Sequence, residues 1–237
     1  MSNIIEVKNF SFKYSTNYIL KKVNFSINEG ECLGLLGCNG SGKTTLINCI
    51  LGEYSGEGDI KICNSVPDIE NPELKKNIGV VLDNDILLNY LTLDEYLSFV
   101  GKTYNVVESQ LLERKEYWIK YFKLENDKNR IINFFSHGMR KKTQIIAAVL
   151  NNPKILIIDE PTNGLDIEMI YYLKKMLIDL KRLKITILIS SHDLSFIEEV
   201  CDNVIIISEG KIGGKIQVGN EYNSKKLEEI YLKEIRK

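Results

Sequence analysis

The stretch that most constrains this chain is GLLGCNGSGKTT, residues 34–45. It grows out of an apolar run, Cys32-Leu33-Gly34-Leu35-Leu36, with the length and character of a buried strand. It leads into a segment from about Lys43 to Leu51 that reads as a helix. Between them, Gly37, Cys38, Asn39, Gly40, Ser41, Gly42, Lys43 and Thr44 follow the pattern of a glycine, four residues, then Gly-Lys-Thr. Glycines let the backbone curl so that successive N–H groups point inward. Such a nest, at the start of a helix, favours an anion. In that setting Lys43 reaches the β- and γ-phosphates and the Thr44 hydroxyl ligates Mg²⁺. The plain alternative is a glycine-rich turn with a surface lysine, and the strand before and helix after speak against it.

The flanking sequence has α/β rhythm. Ile4–Phe10 and Tyr18–Ile27 read as antiparallel strands, Asp59–Cys63 and Ile78–Leu82 as further strands. From about residue 85 to 150 the pattern turns helical: Thr92 and Glu95 form a capping box, and Leu111, Leu112, Trp118, Ile119 and Phe122 recur at helical spacing. After Pro153 come a strand Ile155–Asp159, a helix Ile167–Arg182, a strand Ile185–Ser191 and a helix Leu194–Cys201. Val204–Ser208 and Lys211–Val218 follow, turning at Gly210 and Gly213-Gly214, and Ser224–Lys237 reads as a charged amphipathic helix. Parallel strands joined by helices follow naturally. We expect one domain over 1–237: an α/β core with an antiparallel β portion (1–84 and 151–219), an inserted helical lobe (85–150) and a C-terminal helix (220–237).

Composition narrows the partners. The formal net charge is −1, from 31 basic and 32 acidic residues, so no nucleic acid is expected. No apolar run reaches the length of a membrane span, and MSNIIEVKNF has no secretory character. Five cysteines without a C-x-x-C pair fit free thiols in a reducing compartment, and hence a cytoplasmic protein.

Further chemistry lies downstream. Ile155-Leu156-Ile157-Ile158-Asp159-Glu160 is a buried strand ending in two carboxylates, where a doubly wound sheet places its ligands. Asp159 is a candidate for Mg²⁺, through water, and Glu160 for polarising the water that attacks the γ-phosphate. The strand Ile185–Ser191 ends at His192, one of only two histidines. Its ring is a candidate partner for the γ-phosphate.

Taken together, these residues resemble the ATP-binding subunit of ABC transporters. Six motifs occur in family order across residues 3–218. Gly37–Thr44, with Thr45 beside it, resembles the Walker A loop, and ILIIDE the Walker B strand. Phe135-Ser136-His137-Gly138-Met139 stands at the family's signature, Asn163-Gly164-Leu165-Asp166 resembles the D-loop, and His192 the switch histidine. Tyr14 resembles the aromatic that stacks on adenine, with Phe12 and Tyr18 as competitors. The resemblance implies a P-loop NTPase core with an antiparallel β subdomain and an inserted α-helical subdomain. It also implies ATP and Mg²⁺ as cofactors, with Lys43, Glu160 and His192 catalytic. Two such domains, identical or different, would pair head to tail. Ser136, His137, Gly138, Met139 and Asp166 would then serve the ATP across the interface.

The chain also departs from the family. Asp83 stands at the Q-loop glutamine; we expect it to face Mg²⁺, the alternative being a loop residue without metal contact. His137 replaces a glycine, Met139 a glutamine, and Cys38 the usual proline. Arg140-Lys141-Lys142 reads as a solvated helix face or a contact to the partner domain, and Trp118 as lobe packing. With no membrane segment in the chain, the family implies a separate permease, received near Asp83–Leu93 with Ile86, Leu87, Leu88 and Tyr90 as contacts. The protein would then sit on the inner face of the membrane. The departures look like single-domain bacterial exporters of the multidrug, bacteriocin or antimicrobial-peptide type. Two alternatives stay open: an ABC ATPase acting on ribosomes or DNA, and a non-hydrolysing, nucleotide-gated interaction protein.

Overall fold

Strands that are apolar at every position must be covered on both faces, and the layering of the molecule follows from that. The fold is seen in a computed structural model that describes residues 2–68, 70–219 and 224–235. Two long strands, β1 (Asn3–Tyr14) and β2 (Asn17–Asn28), precede β3 (Cys32–Leu36), the glycine loop and α1 (Lys43–Ile50). Next come β4 (Glu57–Ile62), α2 (Pro72–Lys76) and β5 (Ile78–Val81). Three helices follow: α3 (Leu93–Thr103), α4 (Glu108–Tyr121) and α5 (His137–Val149). The chain then alternates through β6 (Ile155–Asp159), α6 (Ile167–Arg182), β7 (Thr186–Ser191), α7 (Leu194–Val200) and β8 (Asn203–Ser208). It closes with β9 (Lys211–Ile212), β10 (Ile216–Gln217) and α8 (Ser224–Ile235).

The small sheet is antiparallel, ordered β2-β1-β4. The large sheet runs β10-β8-β3-β7-β6-β5, with β9 beside β8. Strands β8, β3, β7, β6 and β5 are parallel, while β9 and β10 run against β8. Along β6 the side chains divide strictly by parity. Ile155 and Ile157 join a core with α1 and the small sheet, whereas Leu156 and Ile158 join a core with α5, α6 and α7. The same parity holds in β3, with Leu33 and Leu35 on one side and Cys32 and Leu36 on the other. Each such buried side chain contributes about 1.5–3 kcal/mol.

Register places the chemistry. Leu36 pairs with Ser191 and Asp159 with Ser190, so the carboxyl ends of β3, β6 and β7 lie side by side. The glycine loop, Asp159-Glu160 and His192 leave the sheet at that edge, where open α/β sheets bind ligands.

The α/β architecture with its antiparallel sheet agrees with the sequence reading, and the Thr92–Glu95 capping box is present. Several details differ. The first strand extends well past Phe10, to Tyr14, because β1 pairs on both edges and its outer end packs through Phe12, while the second, Asn17–Asn28, is only one residue longer at each end than expected. The short helix α2 was not anticipated. Leu87 is buried in the core, while Ile86, Leu88 and Tyr90 are exposed. Trp118 packs among Tyr117, Tyr121 and Phe122. Residues 220–223, 236 and 237 of the anticipated C-terminal helix lie outside the described residues. Among the described residues, no helix is long and apolar enough to cross a membrane.

Candidate active site

The turn from β3 into α1 needs glycine where the backbone goes left-handed. Gly42, the residue before the helix, has φ +110°, a region that L side chains rarely adopt. Held this way, the loop presents Lys43 at the first turn of α1. The Lys43 ammonium donates to the Gly37 carbonyl at 2.7 Å and the Cys38 carbonyl at 3.3 Å. It also lies 3.0 Å from Glu160 Oε1, and both side chains are almost fully buried. A buried pair of this kind persists only because each charge is matched; removing one partner leaves the other stranded.

Glu160 is fixed from three directions. Its backbone φ is +45°, unusual for a side-chain-bearing residue. Its N–H donates to the Ser190 carbonyl and hydroxyl oxygens, both at 3.1 Å. His192 Nδ1 lies 2.9 Å from Glu160 Oε2. One step back along β6, the fully buried Asp159 accepts from Thr44 Oγ1 at 2.7 Å through Oδ2, and from the Ser190 hydroxyl through Oδ1.

The donor set suits a triphosphate and a hard cation. Thr44 and Asp159 offer adjacent oxygens beside the phosphate loop, which is what Mg²⁺ takes. No group of three or more His, Cys, Asp or Glu side chains among the described residues forms a metal cage. Ser41 Oγ is buried at the loop without a hydrogen-bond partner.

One cleft gathers most of the anticipated residues. Tyr14, Cys38, Asn39, Gly40, Gly42, Lys43, Thr44, Thr45, Asp83, Glu160 and His192 all line it. Gly37 and Ser41 belong to the same loop, and Asp159 lies behind Thr44. Of the three aromatic candidates, Tyr14 is the one at the cleft: Phe12 is buried, and Tyr18 turns toward Glu57. Tyr14 stands edge-on to Phe12 and Tyr54, whose own rings are stacked at 5.3 Å. The hydrogen bond with Tyr54, and then burial, push the Tyr14 phenol up.

Asp83 reaches the cleft with Oδ1 accepting from the Asn163 side-chain amide at 3.0 Å. The segment carrying it is tied to α5 almost residue by residue. Lys141 Nζ donates to the Leu82 carbonyl at 3.0 Å, and Gln144 Nε2 to the Asn84 carbonyl at 3.3 Å. Arg140 binds Asp85 with two parallel hydrogen bonds, at 2.6 and 2.5 Å. The basic run 140–142 is therefore not a solvated face: Lys142 donates to the Phe122 carbonyl, and Lys141 is buried. Burial pushes the Lys141 ammonium pKa down, against the nearby carboxylates of Asp83 and Asp159, which raise it.

Ser136, His137, Gly138 and Met139 do not line this cleft. Ser136 caps α5, accepting from the Met139 N–H at 3.3 Å. His137 Nε2 lies 3.3 Å from the Asn163 carbonyl oxygen. Asp166 caps α6, accepting from the Met169 N–H at 2.7 Å. Sequence reasoning passed over the structural work of Ser190, Asn163 and Tyr54. Ser190 was findable, as the residue just before the end of a strand destined to lie beside Asp159.

A family model described as ABC transporter matches residues 20–163 of this chain. The SkfA peptide export ATP-binding protein SkfE of Bacillus subtilis (strain 168) is 32% identical over 210 residues, covering 88% of this chain and 87% of SkfE. A solved ATP-binding subunit of an ABC transporter superposes with a TM-score of 0.90 at 29% identity, covering 99% of this chain and all of that one. The dimeric post-hydrolysis state of the ATP-binding cassette MJ0796, bound to ADP and Pi, superposes at 0.81 with 27% identity, covering 91% and 99%. With the phosphate loop, the paired carboxylates and the histidine already converging on one cleft, the conclusion is direct: this chain is an ATPase of the ABC transporter family.

Proposed function

We propose that this ATPase is the motor of a transporter whose pore is a separate membrane permease, and that it works as a head-to-tail dimer with ATP at each interface. The observation that carries the reading is the continuous polar chain Lys43–Glu160–His192 beside the Thr44–Asp159 pair. When a γ-phosphate takes the Lys43 ammonium, the Glu160 carboxylate is released from its cation. It then accepts a proton from the water that attacks the γ-phosphorus as the bond to the β-phosphate oxygen breaks. His192 holds the carboxylate in line and meets the γ-phosphate. Mg²⁺, held by Thr44, Asp159 and, we infer, Asp83, would offset the charge of the β- and γ-phosphates. Tyr14 would stack on adenine.

The second half of the site would come from another copy or a related subunit. The N-terminus of α5 at His137 and Gly138 is a setting that favours an anion such as a γ-phosphate, and a Cβ built on Gly138 meets nothing within 4 Å of its own chain. That open space suits a ligand arriving from outside. The dimer with ADP and Pi named above supports this arrangement. Ile86, Leu88 and Tyr90, exposed together beside the helical lobe, suit a permease segment. Export is the direction we favour, in line with SkfE, and the protein would act at the cytoplasmic face of the membrane.

Glu160→Gln tests the reading. It is expected to bind Mg-ATP, dimerise, and lose roughly 10²–10³-fold of the turnover. A monomeric Glu160→Gln protein in saturating Mg-ATP counts against the dimer. Wild-type turnover retained by that variant counts against Glu160 as the base.

A further inference from the structure

Two departures from the family pattern, Asp83 and His137, lie on either side of a single residue. The Asn163 amide donates to Asp83 Oδ1 at 3.0 Å, and the Asn163 carbonyl lies 3.3 Å from His137 Nε2. The next residue, Gly164, has φ +70°, and a Cβ there would strike the His137 ring, 2.7 Å from Nε2. The imidazole therefore rests on the backbone of 163–164, and the Asn163 side chain is held by Asp83. Asn163 also lines the nucleotide cleft, whereas His137 opens α5 outside it.

We propose that Asn163 is a positioning residue: the hydrogen bond its side-chain amide donates to Asp83 sets the 163–164 backbone, and through it the His137 ring that would face the partner's ATP. The argument is one of direction. Asp83 as a carboxylate only accepts, and the Asn163 amide nitrogen only donates. The bond is thus specific in polarity, and its reversal is a clean test. The neighbouring ties from Leu82, Asn84 and Asp85 all run to α5, which leaves Asp83 as the residue of this segment that reaches the 163–164 turn. The proposal rests on the dimeric ATPase reading above.

The test uses the full chain in the Glu160→Gln background and measures the Mg-ATP concentration at half-maximal dimerisation by light scattering. Asn163→Asp sets two carboxylates against each other and is expected to raise that midpoint about threefold or more, beyond the effect of Asn163→Ala. Asp83→Asn loses the acceptor charge and raises it as well. The reciprocal swap, Asp83→Asn with Asn163→Asp, rebuilds an amide–carboxylate bond with donor and acceptor exchanged, and is expected to bring the midpoint below that of Asp83→Asn alone, which shares any loss at Mg²⁺. A swap no better than Asp83→Asn alone overturns the proposal, as does Asn163→Asp milder than Asn163→Ala. Thermal melts of each variant identify any that fail to fold; for those, Asn163→Ser and Asp83→Ser replace the charged changes, and additive effects in that pair overturn the coupling. If the Glu160→Gln parent itself neither binds ATP nor dimerises, the dimeric ATPase reading fails instead, whatever the variants do.

Discussion

Glu160 illustrates how much a single residue position is asked to do. It is buried against Lys43, sits at a left-handed φ, donates its backbone N–H to Ser190 near the end of the neighbouring strand, and meets His192 through its second oxygen. The His192 ring is half exposed, so little of the fold depends on it. In the proposed mechanism its contribution would be orientation of a base, an effect felt in the transition state more than in binding. His192→Ala is therefore expected to lower kcat by about 10²-fold while the KM for ATP stays within a few-fold, a split read directly from steady-state kinetics. Lys43→Ala differs in kind. It leaves the Glu160 carboxylate without its buried cation, so it costs stability, about 3 kcal/mol by urea unfolding, as well as ATP affinity.

At the scale of elements, α5 is the piece that joins sites. Its N-terminus carries Ser136–Met139, and its first two turns hold the segment 82–85 through Arg140, Lys141 and Gln144. Arg140 also donates to the Asn89 side chain at 2.8 Å and the Ile132 carbonyl at 3.3 Å. Arg140→Ala strands all three acceptors and is expected to cost about 1–2 kcal/mol, with Arg140→Lys recovering part of it. The loss has a pH signature. Hydrogen bonding to Arg140 holds the Asp85 carboxyl below the ordinary aspartate value of 3.8. The folded form thus releases that proton more readily than the unfolded form. The pair's contribution is complete above 3.8 and fades as pH falls below it. Urea midpoints of wild type and Arg140→Ala should converge in acid. These ties were illegible in the sequence, where Arg140-Lys141-Lys142 is only a run of charges. Periodicity says that the run is on a helix, but not that a second segment passes over that face. The strands were legible because uninterrupted runs such as Ile155–Ile158 have only one way to be buried. The phosphate loop was legible because its constraint is local: a glycine backbone, a lysine and a hydroxyl at fixed spacing. Asn163's links were not, since both partners are distant in sequence and weak as motifs.

For the whole molecule, the question is what closes over the cleft. The chain's last described helix, α8, packs on α7 and β8 with Ile230 and Tyr231 against the large core. From there the Tyr231 hydroxyl comes within 3.6 Å of Cys38 Sγ in the phosphate loop. Burial and the Cys38 contact push the Tyr231 phenol up to about 12, so it stays protonated and can donate. The last element of the chain thus touches one of the first parts of the site. Cys38 is also a natural reporter: it is exposed, whereas Cys32, Cys49 and Cys201 are buried, and desolvation pushes the thiols of Cys49, Cys63 and Cys201 up. Alkylation of the native protein should therefore fall first on Cys38. If the loop cradles phosphate, Mg-ATP at about ten times its Kd leaves about a tenth of the sites open and slows that labelling about tenfold. Peptide mass spectrometry of iodoacetamide-treated protein reads the rate site by site. Tyr231→Ala uncovers the sulfur on the helix side and should speed labelling without ATP, yet leave the protection by ATP intact. Labelling of Cys38 at the same rate with and without saturating Mg-ATP would mean that the triphosphate does not sit where the glycines, Lys43 and Thr44 place it.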